Sequence, residues 1–279
     1  MVTENGIAGI RARLAVIRAD GARVALVPTM GALHEGHLAL VDAARAASDV
    51  VVVSIFVNPL QFGPGEDFAR YPRTLEGDSA KLAARGVSVL FAPSTGEMYA
   101  DGSHTTVVPR PLANGFEGAV RPGHFAGVLT VVAKLFNIVQ PEVALFGRKD
   151  LQQLAAIRAM VSDLDFPVDV QSVETVREPD GLALSSRNLY LDEQSRRRAA
   201  RIRASLVAAR SAFEGGADSP DAIEAAGAAV LAADGALEVD YFSVVREVDF
   251  ERPAVARSGD SIVTAVRVGG TRLIDNIRL

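Results

Sequence analysis

The sequence predicts an α/β protein, a doubly wound parallel sheet with a second, smaller α+β domain. Three observations predict it. Over residues 1–175, short apolar runs alternate with stretches of helical periodicity, the pattern of strand–helix–strand units. The run at 50–57 is β-branched without polar alternation, as a parallel strand covered on both faces requires. From about residue 176 the order changes to helices followed by alternating strands, which assigns 176–279 to the second domain. A chain of 279 residues has room for two domains at about 150 residues each.

The elements follow in order. Ile7, Ile10, Leu14 and Ile17 recur at helical spacing and predict a helix over 6–20. A strand at 23–27 ends at Pro28, a short loop follows, and a helix covers 35–47. The strand at 50–57 leads into a Pro/Gly-rich loop at 58–65, then a helix at 75–85 and a strand at 87–91. Residues 105–120 read as short strands and loops. A helix at 123–139, a strand at 143–146, a helix at 150–163 and a strand at 168–173 complete the alternation. Beyond it, helices are expected at 193–214 and 219–233 and strands at 237–245, 261–268 and 271–278.

Composition excludes several functions. Apolar residues make up 49% and charged residues 23%, globular proportions. Net charge is 29 − 34 = −5, so there is no global basic field for nucleic acid or an anionic membrane. Five arginines lie at 195–203, but Asp192 and Glu193 precede them, and an acid-first, Arg-later helix complements its own dipole. With no Cys, disulfides, iron–sulfur clusters and a thiol nucleophile are ruled out. The N-terminus lacks the apolar core of a signal peptide and no stretch reaches a membrane span, so a cytoplasmic protein is expected. Lysine occurs only at Lys81, Lys134 and Lys149, and histidine only at His34, His37, His104 and His124. In a chain that otherwise uses Arg, a Lys marks a place for a compact point charge. Lys81 and Lys134 read as ordinary helix-surface residues, and His104 as a surface residue.

Four motifs carry chemistry. PTMGALHEGH at 28–37 follows a strand and opens a helix, where bare backbone amides can bind an anion. His34 and His37 share a helix face and can donate to phosphate oxygens as charge moves, although a lone pair at this spacing equally suits capping or surface histidines. A zinc reading needs a third ligand. FGRKD at 146–150 lies at a strand's C-terminal end and brings Lys149 to the edge where α/β sheets bind ligands. DGLALSSR at 180–187 is a small-residue loop whose hydroxyls and Arg187 could close over a polyphosphate, or a plain linker. SIFVNPLQF at 54–62 brings Asn58 and Gln61 to the sheet edge, where amides could hold substrate hydroxyls or a carboxylate, and Gln153 could face the same cleft.

In this order and spacing, with YPRTL at 71–75, RPGHFAGV at 121–128 and KDLQQL at 149–154, these segments resemble the pantothenate synthetase (pantoate–β-alanine ligase) family from about Val24 to the C-terminus. The first and third motifs resemble the HIGH and KMSKS signatures of the nucleotidyltransferase superfamily. The resemblance implies a Rossmann-like N-terminal domain over 1–175, a small C-terminal lid domain over 176–279, a homodimer, ATP and Mg²⁺. It implies that pantoate attacks the α-phosphorus of ATP and that β-alanine then displaces AMP. His37, His34 and Lys149 are the implied catalytic residues. Met30, Gly31, Ala32, Leu33, His34, Glu35, Gly36 and His37 would bind ATP. So would Gly147, Arg148, Lys149, Asp150, the backbone of Val176, Leu184, Ser185, Ser186 and Arg187. Gln61 and Gln153 would hold pantoate, Gln61 also β-alanine, and Asp78 would hold Mg²⁺ through water. Arg121 and His124 would support the cleft. One position departs from the family: Arg148 stands where a Glu is usual, which reverses a charge beside Lys149, and it is expected to face away from the triphosphate. Two other readings stay open, a nucleotidylyltransferase of the same superfamily and a non-catalytic nucleotide-binding module.

Overall fold

The computed structural model describes residues 1–101, 104–109 and 111–279, in two compact units. The first comprises Met1–Gly147 and Ala156–Val173, the second Arg148–Ala155 and Glu174–Leu279.

The first unit holds six strands: β1 (Val2–Glu4), β2 (Val24–Thr29), β3 (Val50–Ile55), β4 (Val89–Phe91), β5 (Val143–Gly147) and β6 (Asp169–Val173). They form one sheet in the order β1-β4-β3-β2-β5-β6, parallel at every pairing. Its helices are α1 (Ile7–Ala19), α2 (Glu35–Ala47), α3 (Leu75–Ala84), α4 (Thr95–Met98), α5 (Glu117–Val120) and α6 (His124–Val139), while α7 (Leu151–Asp163) belongs to the first unit from Ala156 onward. Leu38, Leu40, Val41 and Ala44 of α2 pack on Ala25, Val27, Val51, Val53, Val143 and Leu145, alternate residues of the adjacent strands β2, β3 and β5. Each large aliphatic side chain so buried contributes about 1.5–3 kcal/mol. Helix α6 is buried almost all round, which explains why its sequence lacks a polar stripe.

The strand order matters for function. The chain runs outward from β2 through β3 to β4, while β5 and β6 lie on the other side of β2. The crevice between the C-terminal ends of β2 and β5 is therefore the switch point where open α/β sheets bind ligands. The loop after Thr29 and the end of β5 at Gly147 border it.

The second unit holds α8 (Glu193–Glu214), α9 (Pro220–Ala232) and an antiparallel sheet of β7 (Leu237–Val245), β8 (Ser261–Val268) and β9 (Thr271–Arg278). Gly269 and Gly270, at φ 55° and 80°, form the two-residue β8–β9 turn, a conformation that glycine adopts without strain. Ala199, Ile202 and Leu206 of α8 supply core residues beneath this sheet. On α8, Arg196 pairs with Asp180, Arg197 with Glu193, and Arg198 and Arg201 with Asp234, so four of the five arginines at 195–203 form ion pairs.

One expectation fails locally, and one strand was not foreseen. No short strand forms at 105–120 among the described residues, which hold α5 instead; residue 110 lies outside them. β1 has no strand signal of its own, since three residues with two exposed side chains show no pattern; pairing with β4 makes it a strand. His104 is exposed. No helix among the described residues is long and apolar enough to cross a membrane.

Candidate active site

In the first unit the loop after β2 turns on two left-handed residues, Gly31 at φ 85° and Ala32 at φ 51°. At Gly31 a Cβ would also meet Ile55 and Asp78 at 3.1 and 3.2 Å, so only glycine fits without strain. The turn points the N–H groups of Ala32 and Leu33 at Asp78, whose two carboxylate oxygens accept them at 2.8 Å each. Thr74 Oγ1 donates to the same carboxylate at 3.0 Å, and Lys81 Nζ donates to the Leu33 carbonyl at 2.6 Å. Asp78 is fully buried.

This arrangement corrects two readings. Asp78 does not fit a metal site, because its oxygens already hold backbone amides away from solvent. Among the described residues, no group of three or more His, Asp or Glu is arranged to hold a metal. The amides of Ala32 and Leu33 are not bare anion donors, since Asp78 occupies them. Lys81 is exposed on α3, as expected, and in addition ties that helix to this loop.

Helix α2 is capped by the two histidines. His34 Nδ1 accepts the Gly36 N–H at 3.2 Å, and His37 Nδ1 accepts the His34 N–H at 3.3 Å. The His37 and Leu38 N–H groups both donate to the His34 carbonyl. A neutral imidazole accepting at Nδ1 carries its proton on Nε2, so both rings, 4.1 Å apart, are donors at Nε2. The capping and catalytic readings are therefore compatible, because these caps use only Nδ1 of each ring. Glu35, expected among the ATP contacts, directs its carboxylate to Arg85 at 2.9 Å. Gly36 lies in the first turn, and Met30 opens the loop.

Beyond β3, Asn58 does not present an amide to a substrate. Its Nδ2 donates to Gln61 Oε1 and the Gly127 carbonyl, both at 3.1 Å, while its Oδ1 accepts from Leu60 N–H and from Tyr99 OH at 2.8 Å. Burial holds the Tyr99 hydroxyl well above the usual phenol range, so it stays a donor. Asn58 thereby orients Gln61, whose Nε2 points at Met30 Sδ at 2.9 Å. Sulfur is a weak acceptor, readily replaced by a substrate oxygen. The Gln61 carbonyl receives His124 Nδ1 at 2.8 Å, and His124 Nε2 accepts from Arg121 at 3.0 Å. Arg121 forms a two-pronged pair with Glu66 at 2.8 and 2.6 Å. That guanidinium holds the Glu66 carboxyl below its usual range. Burial, reinforced by Arg121, lowers His124 to about 4, so the ring is neutral. Lys134, expected on the surface, lies over the Tyr99 ring.

In the second unit, Arg148–Asp150 form a single 3₁₀ turn at the start of α7. The Arg148 guanidinium is buried and bound to Glu247 at 3.1 and 2.5 Å and to Glu174 at 3.3 Å, which withdraws that side chain from the ATP contacts. Lys149 Nζ stands 3.5 Å from Asp150. Gln153 is half-buried on α7. The Val176 carbonyl accepts from Leu184 N–H, joining those two residues across a short antiparallel pairing. Ser185 caps the turn at Ser186–Tyr190 by accepting from Arg187 N–H at 3.2 Å. Glu247 and Asn276, which touch this segment, carry no motif signal: neither stands near Lys149 in sequence. Glu66 was equally silent.

A family profile described as pantoate-beta-alanine ligase matches residues 3–278. The chain is 55% identical over 273 residues to a pantothenate synthetase of Mycolicibacterium smegmatis, covering 98% of this chain and 85% of that one. A crystal structure of the pantothenate synthetase of Thermus thermophilus superposes with TM-score 0.94 at 49% identity, over 99% of both chains. A pantoate-beta-alanine ligase from Francisella tularensis, crystallised with beta-gamma ATP and beta-alanine, superposes with TM-score 0.79 at 33% identity, over 100% of this chain and 97% of that one. On a match that spans nearly every residue, the chain belongs to the pantoate-beta-alanine ligase family.

Proposed function

We propose that this chain joins (R)-pantoate to β-alanine at the expense of ATP, forming pantothenate through a pantoyl-adenylate intermediate. The observation that carries the reading is the histidine pair, held by its own caps with both Nε2–H groups as donors in the loop at the sheet's switch point. Family membership and the ligands of the Francisella relative support it.

The chemistry needs positioning more than acid–base work. A carboxylate with a pKa near ~4 is already ionised at neutral pH and needs no base. A pantoate carboxylate oxygen bonds to the α-phosphorus, the bond to the β-phosphate bridging oxygen breaks, and pyrophosphate leaves with the electron pair. The β-alanine nitrogen then bonds to the acyl carbon, the acyl–oxygen bond breaks and AMP leaves. The nitrogen's proton passes to solvent.

His37 and His34 donate to phosphate oxygens as negative charge shifts onto them. Lys149 serves the same charge as a point cation. Gly31, Gly36 and Gly147 allow close backbone approach to ATP, with Met30 beside them. Asp150, the Val176 backbone and Leu184 take the nucleoside, and Ser185, Ser186 and Arg187 the phosphates. Gln61 and Gln153 hold pantoate, and Gln61 also receives β-alanine. Mg²⁺ enters with the ATP substrate, bound by phosphate oxygens and water, as this ion prefers. The working form is a cytoplasmic homodimer.

The test is product formation from ATP, Mg²⁺, pantoate and β-alanine. Pyrophosphate release should need pantoate alone, and AMP release should need β-alanine as well. Pyrophosphate release without pantoate, or ATP binding without turnover, refutes the reading.

A further inference from the structure

The Lys149 segment is gripped twice within its own unit, once from the turn after β7 and once from β9. The first grip is ionic. Arg148 lies 4% exposed, with its guanidinium on Glu247. Glu247 also receives Arg278 at 3.1 and 2.9 Å and the Ser261 hydroxyl at 2.6 Å. Burial pushes the Glu247 carboxyl up, but the hydrogen bonds from Arg148, Arg278 and Ser261 outweigh it and hold the group at about 2. Charges thus alternate through Glu174, Arg148, Glu247 and Arg278. The second grip is on the backbone. Asn276 of β9, 5% exposed, donates its Nδ2 to the carbonyl oxygens of both Arg148 and Lys149, at 2.8 and 3.0 Å. Asn276 is itself set by its N–H on Asp275, whose carboxylate takes both arms of Arg177.

These two carbonyls belong to the peptide planes on either side of Lys149. Pinning both fixes the Lys149 backbone and leaves only the side-chain torsions free. A buried ion pair adds little net stability over apolar packing and is best attested where it fixes a register. The partner of Arg148, Glu247, lies in the turn after β7 of the same unit.

We propose that Glu247 and Asn276 are positioning residues for Lys149, holding the turn at Arg148–Asp150 so that the Lys149 ammonium is aimed at the phosphates during adenylate formation. The inference rests on the role given to Lys149 above. It is tested by single-turnover adenylate formation in the full-length enzyme carrying Glu247→Gln, Asn276→Ala, Lys149→Ala, and each of the first two combined with Lys149→Ala. Glu247→Gln and Asn276→Ala should each slow the step about tenfold while the KM for pantoate moves less than about twofold. In the Lys149→Ala background each should add less than about twofold, because both act through that side chain. A folded Glu247→Gln or Asn276→Ala variant with the unaltered rate overturns the inference, as do effects that multiply with Lys149→Ala. If Glu247→Gln does not fold, Asn276→Ala, which removes no charge, decides by the same readings. A Lys149→Ala enzyme at full rate overturns the role of Lys149 itself. A slowed Lys149→Ala enzyme beside unaffected Glu247→Gln and Asn276→Ala enzymes overturns only the positioning role.

Discussion

Asp78 shows how much a single carboxylate can organise. The family resemblance implies a water-mediated Mg²⁺ contact for it, yet its oxygens accept Ala32 and Leu33 N–H and the Thr74 hydroxyl. Hydrogen bonds to a buried charge are worth about 1.5–3 kcal/mol each. Asp78→Asn replaces one acceptor with a donor facing an amide. It should cost about 2 kcal/mol by denaturant titration and raise the KM for ATP by relaxing the loop. A variant of full stability would remove Asp78 from this role. Arg148 carries a second residue-scale prediction. Arg148→Glu restores the residue usual in the family but sets a carboxylate against Glu247 in a buried site. It should destabilise by about 3 kcal/mol, lowering the melting temperature by roughly 6–10 °C. Calorimetry checks this.

Between elements, α6 closely approaches the loop after β3. A Cβ at Gly127 would stand 2.1 Å from the Leu60 carbonyl oxygen and 2.6 Å from the Gln61 nitrogen, both backbone atoms that cannot swing aside. Gly127→Ala should therefore displace the segment at 58–61. We expect about 2–3 kcal/mol lost in thermal unfolding and a raised KM for pantoate, with the KM for ATP changed less. The same junction is pH-sensitive. His124 is held neutral with a pKa of about 4, against 6.5 for a free ring. Between those values the unfolded chain binds more protons than the folded one. This contribution to stability is complete above pH 6.5 and is lost as pH falls towards 4, by about 3 kcal/mol in all. Melting temperatures measured across that interval should fall for the parent and fall less steeply for His124→Gln.

Over the whole molecule, chemistry by held charges needs no thiol, and the chain has none. Treatment with N-ethylmaleimide at neutral pH, where it is selective for thiols, should leave the specific activity unchanged; a rapid loss would contradict a thiol-independent mechanism. What was legible in the sequence was whatever is written locally. The run at 50–57 shows a strand buried on both faces because parallel sheets want that composition, and β3 is there. The strands at 237–245, 261–268 and 271–278 show period-two alternation, and β7 to β9 span those residues. The histidine pair was visible from its spacing, although His34 is the extended cap before α2 and only His37 lies on the helix. The sequence by itself thus determined the order and type of nearly every element, the family, and the absence of thiol chemistry. Only the tertiary structure decided which polar groups support others. Asp78 meets Leu33 from 45 residues away, Asn58 meets Gly127 from 69, and Glu247 meets Arg148 from 99. Periodicity reports only which face of an element turns inward. Which acceptor a buried donor finds there depends on distant segments brought together, because a polar group removed from water must be matched by whatever the fold sets beside it.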